Sequence, residues 1–487
     1  MRFVLRAQIL GVLLVILLPA ASTTSGSRGE QGSMLLLRSG DTLSPCHRFF
    51  WRGNPLETRY WIRVGSCRYC ADIANRNVLG SLSVQVSLPS DGRPIYVMLY
   101  SLAADVWRAE EHVYRAASEG ETDACDAAPQ TSVGVYHWSG TATRSMSQGV
   151  EAVAGLGGRA VRLTLSARYR RDYNIGADCY EDFTLAKGAQ EADVQRALSN
   201  PGIETYMVTA YDGVSFDDCS NEHFLSRGFY TAENRAALVE EYADFVYELC
   251  RTYRGTKKRF ILSNWEGDNS VYCGAADRYI RDEAFRVRCD ESYSVHYGGN
   301  SGPSDSIEGM RQWFNARWEG IEEGRRRASA EGYEGVAVYS APEINMVRGL
   351  AEAGLPSLLY DVIPFIRFDF VSYSSWESLN RQDPAKELVA DLNTIRDVAG
   401  AATVILGELG FSRSAWGDGP IPRTEATLAA AEEWGTPYAF QWVLYDAGGE
   451  NNIGFGLFGQ NGSLTAVGQY YQVRFSSQER IAPPLSK

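Results

Sequence analysis

The feature that most constrains the fold of this chain is a regular alternation that begins near residue 131. Short runs of β-branched or apolar residues alternate with longer segments that have the apolar spacing of helices. This alternation is typical of βα units around a parallel sheet. Eight such pairs are what a closed (β/α)8 barrel requires. The predicted strands span residues 133–138, 160–166, 204–210, 259–265, 335–341, 368–375, 402–408 and 437–445, and the predicted helices span residues 145–155, 191–199, 233–253, 306–328, 356–366, 385–399, 424–434 and 465–475.

An open, doubly wound sheet is the alternative arrangement of such units. A glycine-rich nucleotide-binding motif would favour it, but no GxGxxG or Walker sequence follows any of the eight predicted strands. The predicted fold class is therefore α/β, with a (β/α)8 TIM barrel over residues 131–480.

The residues before the barrel differ from it in composition. Residues 1–22 have a positively charged start and a short apolar run that ends in small residues, which predicts a cleaved secretory signal peptide, with an uncleaved membrane anchor as the alternative. Residues 23–40 are small and polar, as in a flexible leader. Residues 41–130 contain short alternating runs and four cysteines, which predicts a small β-rich, disulfide-supported module. This module either packs on the barrel without a ligand or binds carbohydrate itself.

The nine cysteines favour disulfides if the chain is exported. Cys250 lies in a helical pattern and is predicted to be a free, buried thiol. Proximity in the sequence suggests that Cys273 pairs with Cys289 and Cys179 with Cys219. A zinc site at the CxxC motif is the alternative, but the chain has no second CxxC and only five histidines. The four other cysteines, predicted to pair among themselves, are Cys46, Cys67, Cys70 and Cys125.

Two glutamates stand at the carboxyl ends of predicted strands four and seven. Glu266 stands in Asn-Trp-Glu-Gly and Glu408 in Gly-Glu-Leu-Gly. A carboxylate at the end of an apolar strand is costly unless water, a partner or a ligand satisfies it. Active sites of barrels lie at the carboxyl ends of the strands, and strands four and seven face each other there. A retaining glycosidase needs two carboxyl groups about 5 Å apart, so Glu266 is predicted to be the acid/base and Glu408 the nucleophile.

These motifs resemble those of glycoside hydrolase clan A, and residues 407–411 (GELGF) resemble the nucleophile strand of its cellulase-like family 5. The resemblance implies that Arg162, in AVRLTLS, is a positive charge near the nucleophile. It implies that Tyr373 donates a hydrogen bond to the nucleophile, and that Trp442 is an aromatic platform beneath the sugar.

The sequence after strand four departs from the pattern of the clan. Clan members have Asn-Glu-Pro, whereas this chain has Asn264-Trp265-Glu266-Gly267. The contact that the clan's asparagine makes with the sugar 2-hydroxyl therefore does not transfer to Asn264. Asp268 and Asn269 are the alternatives.

Further polar and aromatic residues follow other predicted strands. Glu343 is a rival for the acid role, or else forms a substrate hydrogen bond or a loop salt bridge. Asp212 and Asp446 are sugar ligands or turn residues. Trp376 stacks on a sugar or serves packing, and His137 is a candidate ligand of a sugar hydroxyl.

The sequence thus predicts a secreted, retaining glycoside hydrolase that cleaves a β-linked oligo- or polysaccharide by double displacement. A catalytically inactive barrel that binds glycan or protein, and a transglycosylase with the same residues, are the alternatives. The net charge of −13 argues against nucleic acid as a partner. No metal, cofactor or integral membrane span is expected, and the expected state is a monomer. Long loops after strands two to four predict a deep, walled cleft.

Overall fold

The computed structural model describes residues 42–43, 46–51, 57–78, 83–103, 106–118, 131–138, 144–176, 179–180, 182–216, 223–296, 301–400, 402–417, 419–446 and 454–477. The predicted signal peptide and leader lie outside these residues. Within them, none of the helices has both the length and the apolar character that a bilayer crossing demands.

The N-terminal part is rich in β-structure, as the sequence predicts. Its described strands are β1 (Thr42–Leu43), β2 (Cys46–Phe50), β3 (Glu57–Gly65), β4 (Ala74–Val78), β5 (Ser83–Ser87), β6 (Pro94–Ala103) and β7 (Val106–Ala116). One sheet has the order β1-β7-β6-β3-β4, and β2 pairs with β5 in a second. Alternate residues along the strands, such as Ile62 and Val64, are buried with Phe49 in one common core, because successive side chains of a strand point to opposite faces.

The second part is a parallel barrel. Its described strands are β8 (Ser132–Tyr136), β9 (Ala160–Leu165), β10 (Thr205–Ala210), β11 (Lys258–Ser263), β12 (Val336–Ala341), β13 (Glu343–Ile344), β14 (Phe370–Ser374), β15 (Thr403–Leu409) and β16 (Tyr438–Gln441). They pair in parallel in the order β12-β11-β10-β9-β8-β16-β15-β14-β13. The two ends of this order are consecutive in the chain, because only Pro342, which has no N–H to donate, separates β12 from β13. The eight predicted strands are therefore confirmed, with the fifth in two pieces.

The barrel has an inner and an outer apolar layer. Ala160, Met207 and Ile405 fill its interior, whereas Val161 and Leu163 pack outward against the helices. Because side chains alternate along a strand, the interior residues that follow Ala160 on β9 are Arg162 and Thr164. The interior therefore changes from apolar to polar towards the carboxyl ends of the strands, where the site lies.

Most predicted helices are present. The described helices are α1 (Met146–Gly155), α2 (Tyr169–Asp172), α3 (Leu185–Gln190), α4 (Ala192–Leu198), α5 (Ala232–Thr252), α6 (Gly267–Val271), α7 (Ala276–Arg281), α8 (Glu283–His296), α9 (Pro303–Ala330), α10 (Gly349–Glu352), α11 (Leu358–Asp361), α12 (Trp376–Leu379), α13 (Pro384–Val398), α14 (Arg413–Trp416), α15 (Pro420–Trp434) and α16 (Ala466–Ser477), with 3-10 turns at His223–Leu225, Arg227–Phe229 and Ile363–Phe365. The helix predicted over residues 356–366 is wrong. It is divided into α11 and a 3-10 turn, because Pro364 cannot continue an α-helix.

The cysteines follow the prediction where the structure describes them. Cys273 is bonded to Cys289, which joins α8 to the segment after α6, and Cys250 is a free, buried thiol. Cys67 is bonded to Cys70, so the CxxC motif is a disulfide and does not bind zinc. The predicted pairings of Cys219 and Cys125 concern residues outside the described part of the chain.

Candidate active site

Glu408 lies at the end of β15, where a bulge alters the direction of the strand. Tyr373 of β14 pairs with Leu406, but the next residue, Ser374, pairs with Glu408, so Gly407 is the extra residue of the bulge. Bulges of this kind redirect side chains and are common beside active sites. The Glu408 carboxylate accepts a 3.0 Å hydrogen bond from Nε1 of Trp376, and its other oxygen lies 3.4 Å from Nη1 of Arg162. Glu408 is only 2% exposed.

Glu266 lies between β11 and α6 in an unusual backbone conformation. Its φ is +27° and its ψ is +74°, a region that non-glycine residues adopt only when the surroundings hold them there. The carboxylate accepts a hydrogen bond from the side-chain amide of Asn269, and the residue is 5% exposed. Strain of this kind is concentrated at functional sites.

Both glutamates line a cleft of about 1710 Å³ at the mouth of the barrel. Aromatic rings make up much of its wall, and those of Trp138 and Trp442 stack with centroids 5.6 Å apart. Residues after β9, β10 and β11, including Arg168, Phe216 and Cys273, also line the cleft. The loops that the sequence singles out therefore contribute to its walls.

The two glutamates lie in different electrostatic surroundings. Burial raises the pKa of Glu266 well above its ordinary value, and the charges of Glu408 and Glu343 raise it further. Burial also raises the pKa of Glu408, but the next largest influence is the Arg162 guanidinium, which lowers it. When the pair holds one proton, these influences favour its residence on Glu266.

Arg162 and Glu343 form a buried ion pair beneath the cleft. The guanidinium donates to both carboxylate oxygens of Glu343, at 2.7 and 2.9 Å, and neither side chain is exposed. Burial lowers the pKa of Arg162, yet the charges of Glu343, Tyr136 and Glu408 raise it overall. A buried salt bridge thus occupies both oxygens of Glu343, which does not line the cleft. Arg162 lies near Glu408, where the resemblance puts it.

Tyr373 does not contact the proposed nucleophile, contrary to the resemblance. Its hydroxyl donates to Oδ2 of Asp391 on α13, at 2.8 Å. The reason is strand alternation, since Ser372 reaches the interior and contacts Glu343. Tyr373 therefore faces the helix layer, and Trp376 supplies the hydrogen bond to Glu408 instead.

The residues around the altered strand-four motif have mainly structural contacts. Asn264 accepts a hydrogen bond from the Glu343 backbone N–H at 2.7 Å and donates to its carbonyl at 3.1 Å. Asp268 is fully buried and accepts three backbone hydrogen bonds from Asn345, Met346 and Leu358. Neither side chain lines the cleft, whereas Asn269 does.

Two further candidates, Asp212 and Asp446, hold turns by hydrogen bonds. Asp212 accepts from the Ser215 backbone and from Nε1 of Trp313, and Asp446 accepts from Gly454 and Gly456. Both are turn residues, one of the two predicted alternatives.

His137 is not a ligand of the cleft. It is fully buried, and its Nε2 is 3.0 Å from the carbonyl oxygen of Ser145. A Cβ atom at Gly149 of α1 would lie 2.2 Å from that nitrogen, so the helix packs directly on the ring. Burial lowers the pKa of His137 to about 4, and the ring is neutral at pH 7.

Trp442 lies in the cleft, as expected of a platform residue. Its ring stacks with Trp138 and meets Tyr136 edge to face at 5.1 Å. The Arg162 guanidinium lies 4.5 Å from the centre of the Tyr136 ring. The aromatic rings of the cleft therefore contact, through Tyr136, the charged residues beneath it.

Several contacts of the site were not predicted from the sequence. Trp265 lines the cleft directly before Glu266, and Ser372 donates to Glu343 at 2.7 Å. The roles of Trp376 and Asn269 as donors to the two glutamates were also missed. The alternation of side chains along β14 would have predicted that Ser372 faces the interior, since Phe370, two residues earlier, is an interior residue.

The comparisons with known proteins find similarity only among solved structures. No model of a known protein family matches the chain, and no curated protein matches it. A family 39 glycoside hydrolase from the gut symbiont Bacteroides cellulosilyticus WH2 is 12% identical, with 91% of this chain and 82% of that chain covered and a TM-score of 0.40. A double mutant of the endo-β-1,4-mannanase of Cellulomonas fimi is 16% identical, with coverages of 72% and 71% and a TM-score of 0.41.

A third similar structure is the catalytic domain of the major endoglucanase from Xanthomonas campestris pv. campestris. It is 12% identical, with 71% of this chain and 93% of that chain covered and a TM-score of 0.35. These similarities are too weak to carry a conclusion about activity, which depends on the residues of this chain.

Proposed function

We propose that this chain is a retaining glycoside hydrolase that cleaves a β-linked oligo- or polysaccharide. The observation that carries the proposal is the pair of nearly buried glutamates, Glu266 and Glu408, in one aromatic cleft. Burial raises the pKa of both carboxyl groups, to about 8 for Glu408, but Arg162 and Trp376 counteract it at Glu408, whereas the charges of Glu408 and Glu343 add to it at Glu266. A single proton held by the pair therefore favours Glu266 and leaves Glu408 ionised. Double displacement needs one carboxyl group in each of these states.

In the first step of the proposed reaction, the Glu408 carboxylate attacks the anomeric carbon. The bond to the leaving oxygen breaks as Glu266 donates its proton to that oxygen, and a covalent glycosyl-enzyme forms. Glu408 then carries no charge. Since this charge had raised the pKa of Glu266, its loss makes Glu266 a weaker base but leaves it ionised, ready to accept a proton from water.

In the second step, Glu266 removes a proton from water, and the resulting oxygen nucleophile attacks the anomeric carbon. Glu408 leaves as a carboxylate, and the product retains the configuration of the substrate. Trp138 and Trp442 offer rings on which a sugar can lie. The same two residues would serve transglycosylation if another sugar took the place of water.

The proposal includes the setting in which the enzyme works. Removal of residues 1–22 would release a secreted protein, and the disulfides Cys67–Cys70 and Cys273–Cys289 suit an oxidising environment. We propose that the mature enzyme acts as a monomer.

The test is a screen of aryl β-glycosides and β-linked oligosaccharides, with the first-formed product followed by proton NMR. The expected result is hydrolysis in which the β-anomer appears first and mutarotates later. An α-anomer as the first product would contradict the retaining mechanism. If no glycoside is cleaved while a glycan array shows binding that survives Glu266→Gln, the chain is a binding protein.

A further inference from the structure

Glu343 is the third carboxylate of the site, and it is linked to both proposed catalytic groups without lining the cleft. Its side chain is 0% exposed. Oε1 accepts from the backbone N–H of Glu266 at 3.1 Å. Both oxygens bind Arg162, which also lies 3.4 Å from Glu408. Glu343 is thus connected directly to one glutamate and through a single guanidinium to the other.

The contact with Glu266 is made at its strained backbone. A residue at φ +27° keeps that conformation only if its neighbours hold it. The Glu343 carboxylate accepts the N–H of this residue, and Asn264 fixes Glu343 by hydrogen bonds to its own N–H and carbonyl. The direction of the Glu266 side chain therefore depends on the position of Glu343.

The glycines beside the two glutamates fit around Glu343. A Cβ atom at Gly407 would lie 1.9 Å from Oε2 of Glu343 and 2.3 Å from Oγ of Ser372. A Cβ atom at Gly267 would lie 2.8 Å from the Glu343 carbonyl oxygen and 2.0 Å from a methyl carbon of Leu358. Both chain segments that carry the cleft glutamates thus approach Glu343 as closely as backbone can.

The charge of Glu343 also acts on both groups. Next to the effect of burial, it is among the charges that raise the pKa of Glu266 and of Glu408. Arg162 has the opposite effect on both. The ion pair therefore balances the electrostatic potential at the floor of the cleft.

We propose that Glu343 is a buried positioning residue that holds the backbone of Glu266 and, with Arg162, balances the charge around both cleft glutamates without touching the substrate. This inference rests on the proposed glycosidase function. It assigns Glu343 a role other than that of an acid or a substrate ligand.

Two substitutions in the full chain separate charge from geometry. Glu343→Gln removes the negative charge and keeps the length of the side chain, so the pKa values of Glu266 and Glu408 should both fall. Both limbs of the pH profile of kcat/KM should move to lower pH by about one unit, while KM changes less than about threefold because Glu343 does not line the cleft. Glu343→Asp keeps the charge and withdraws the oxygen from Glu266. It should lower kcat about tenfold while both limbs move much less than in Glu343→Gln.

The matched control is Tyr373→Phe, which changes a buried side chain on β14 that faces away from the cleft. It should keep the wild-type pH profile. Unchanged limbs in Glu343→Gln would overturn the charge role, and an unchanged kcat in Glu343→Asp would overturn the positioning role. If Glu343→Gln does not fold, as judged by circular dichroism, Glu343→Asp still decides the positioning role.

A measurement that needs no turnover separates this inference from the proposed function. In protein with ¹³C-labelled glutamate carboxyls, the Glu266 signal can be assigned from its loss in Glu266→Gln and titrated. A lower midpoint in Glu343→Gln than in wild type supports the inference even if no glycoside is cleaved. Equal midpoints overturn it even if hydrolysis is fast.

Discussion

The carboxyl ends of β11 and β15 each present one glutamate to the same cleft, yet they hold it differently. Glu266 follows its strand in a strained backbone conformation, and its neighbours are an amide and two carboxylates. Glu408 is the penultimate residue of its strand and lies at a bulge, and its neighbours are a guanidinium and an indole N–H. Identical side chains can thus take opposite chemical roles because their surroundings, not their type, set the affinity for a proton.

The largest effect is expected from removal of the proposed nucleophile. Glu408→Ala should lower kcat about 10⁴-fold or more on an activated aryl β-glycoside. Azide should restore turnover and give the α-glycosyl azide, because it attacks from the vacated side. Glu425→Gln, an exposed residue of α15, is the control. Near wild-type kcat in Glu408→Ala would show that another group attacks the sugar.

Removal of the acid should have a smaller effect that depends on the leaving group. Glu266→Gln should lower kcat/KM about 10²- to 10⁴-fold for natural glycans. A dinitrophenyl glycoside, whose leaving group needs no proton, should lose far less in the glycosylation step. Steady-state rates across aryl glycosides of graded phenol pKa provide the measurement. An equal loss for every leaving group would contradict the acid role.

Removal of the indole donor should move one limb of the pH profile. The Trp376 hydrogen bond lowers the pKa of Glu408, so Trp376→Phe should raise it. Since Glu408 must be ionised to attack, the acidic limb of kcat/KM should move to higher pH by about half a unit, with kcat about tenfold lower. A movement of the alkaline limb alone would reverse the assignment of the two glutamates.

Removal of the amide donor tests the other end of the cleft. The Asn269 hydrogen bond lowers the pKa of Glu266, so Asn269→Ala should raise it. Since Glu266 must be protonated to donate, the alkaline limb should move to higher pH by about half a unit while the acidic limb stays in place. Trp376→Phe and Asn269→Ala are thus controls for each other, and identical profiles would contradict the distinction between the two ends.

The smallest kinetic effect is expected at Tyr373. Its hydroxyl contacts Asp391 on the outer side of the barrel. Tyr373→Phe should lower the free energy of unfolding by about 1 kcal/mol and leave kcat within about twofold. Urea denaturation and steady-state kinetics measure the two quantities. A large loss of kcat with unchanged stability would indicate that the resemblance was correct and that Tyr373 acts on the nucleophile.

The barrel could be predicted from the sequence because its pattern is local. Each strand is a short apolar run, and each helix except that at residues 356–366 has its own periodicity. That one exception was also visible in the sequence as Pro364. The segment after β11 was harder to predict, since α7 and α8 lie in a polar stretch that the Cys273–Cys289 disulfide joins to the segment after α6.

The site was predictable in its two principal residues and less so around them. Glu266 and Glu408 could be singled out because each stands at the carboxyl end of an apolar strand run. The hydrogen bonds of Glu343 to Arg162 span 181 residues of sequence, and no local pattern encodes them. Tyr373 and His137 were wrongly predicted to reach the cleft, and the reason is simpler. Each is one position away from a residue that faces inward, Ser372 and Tyr136 respectively, so the alternation of the strand directs them outward.

The close packing of Gly407 against Glu343 also bears on how such a chain can evolve. A side chain at position 407 would overlap the Glu343 carboxylate, so that glycine cannot change first. If position 343 became smaller and Ser372, whose Oγ would lie 2.3 Å from the same Cβ, lost its hydroxyl, position 407 could gain a methyl group, and a later return to glutamate at position 343 would then be blocked. The order of substitutions therefore decides which descendants are accessible, and the two positions, 64 residues apart, should vary together across descendants.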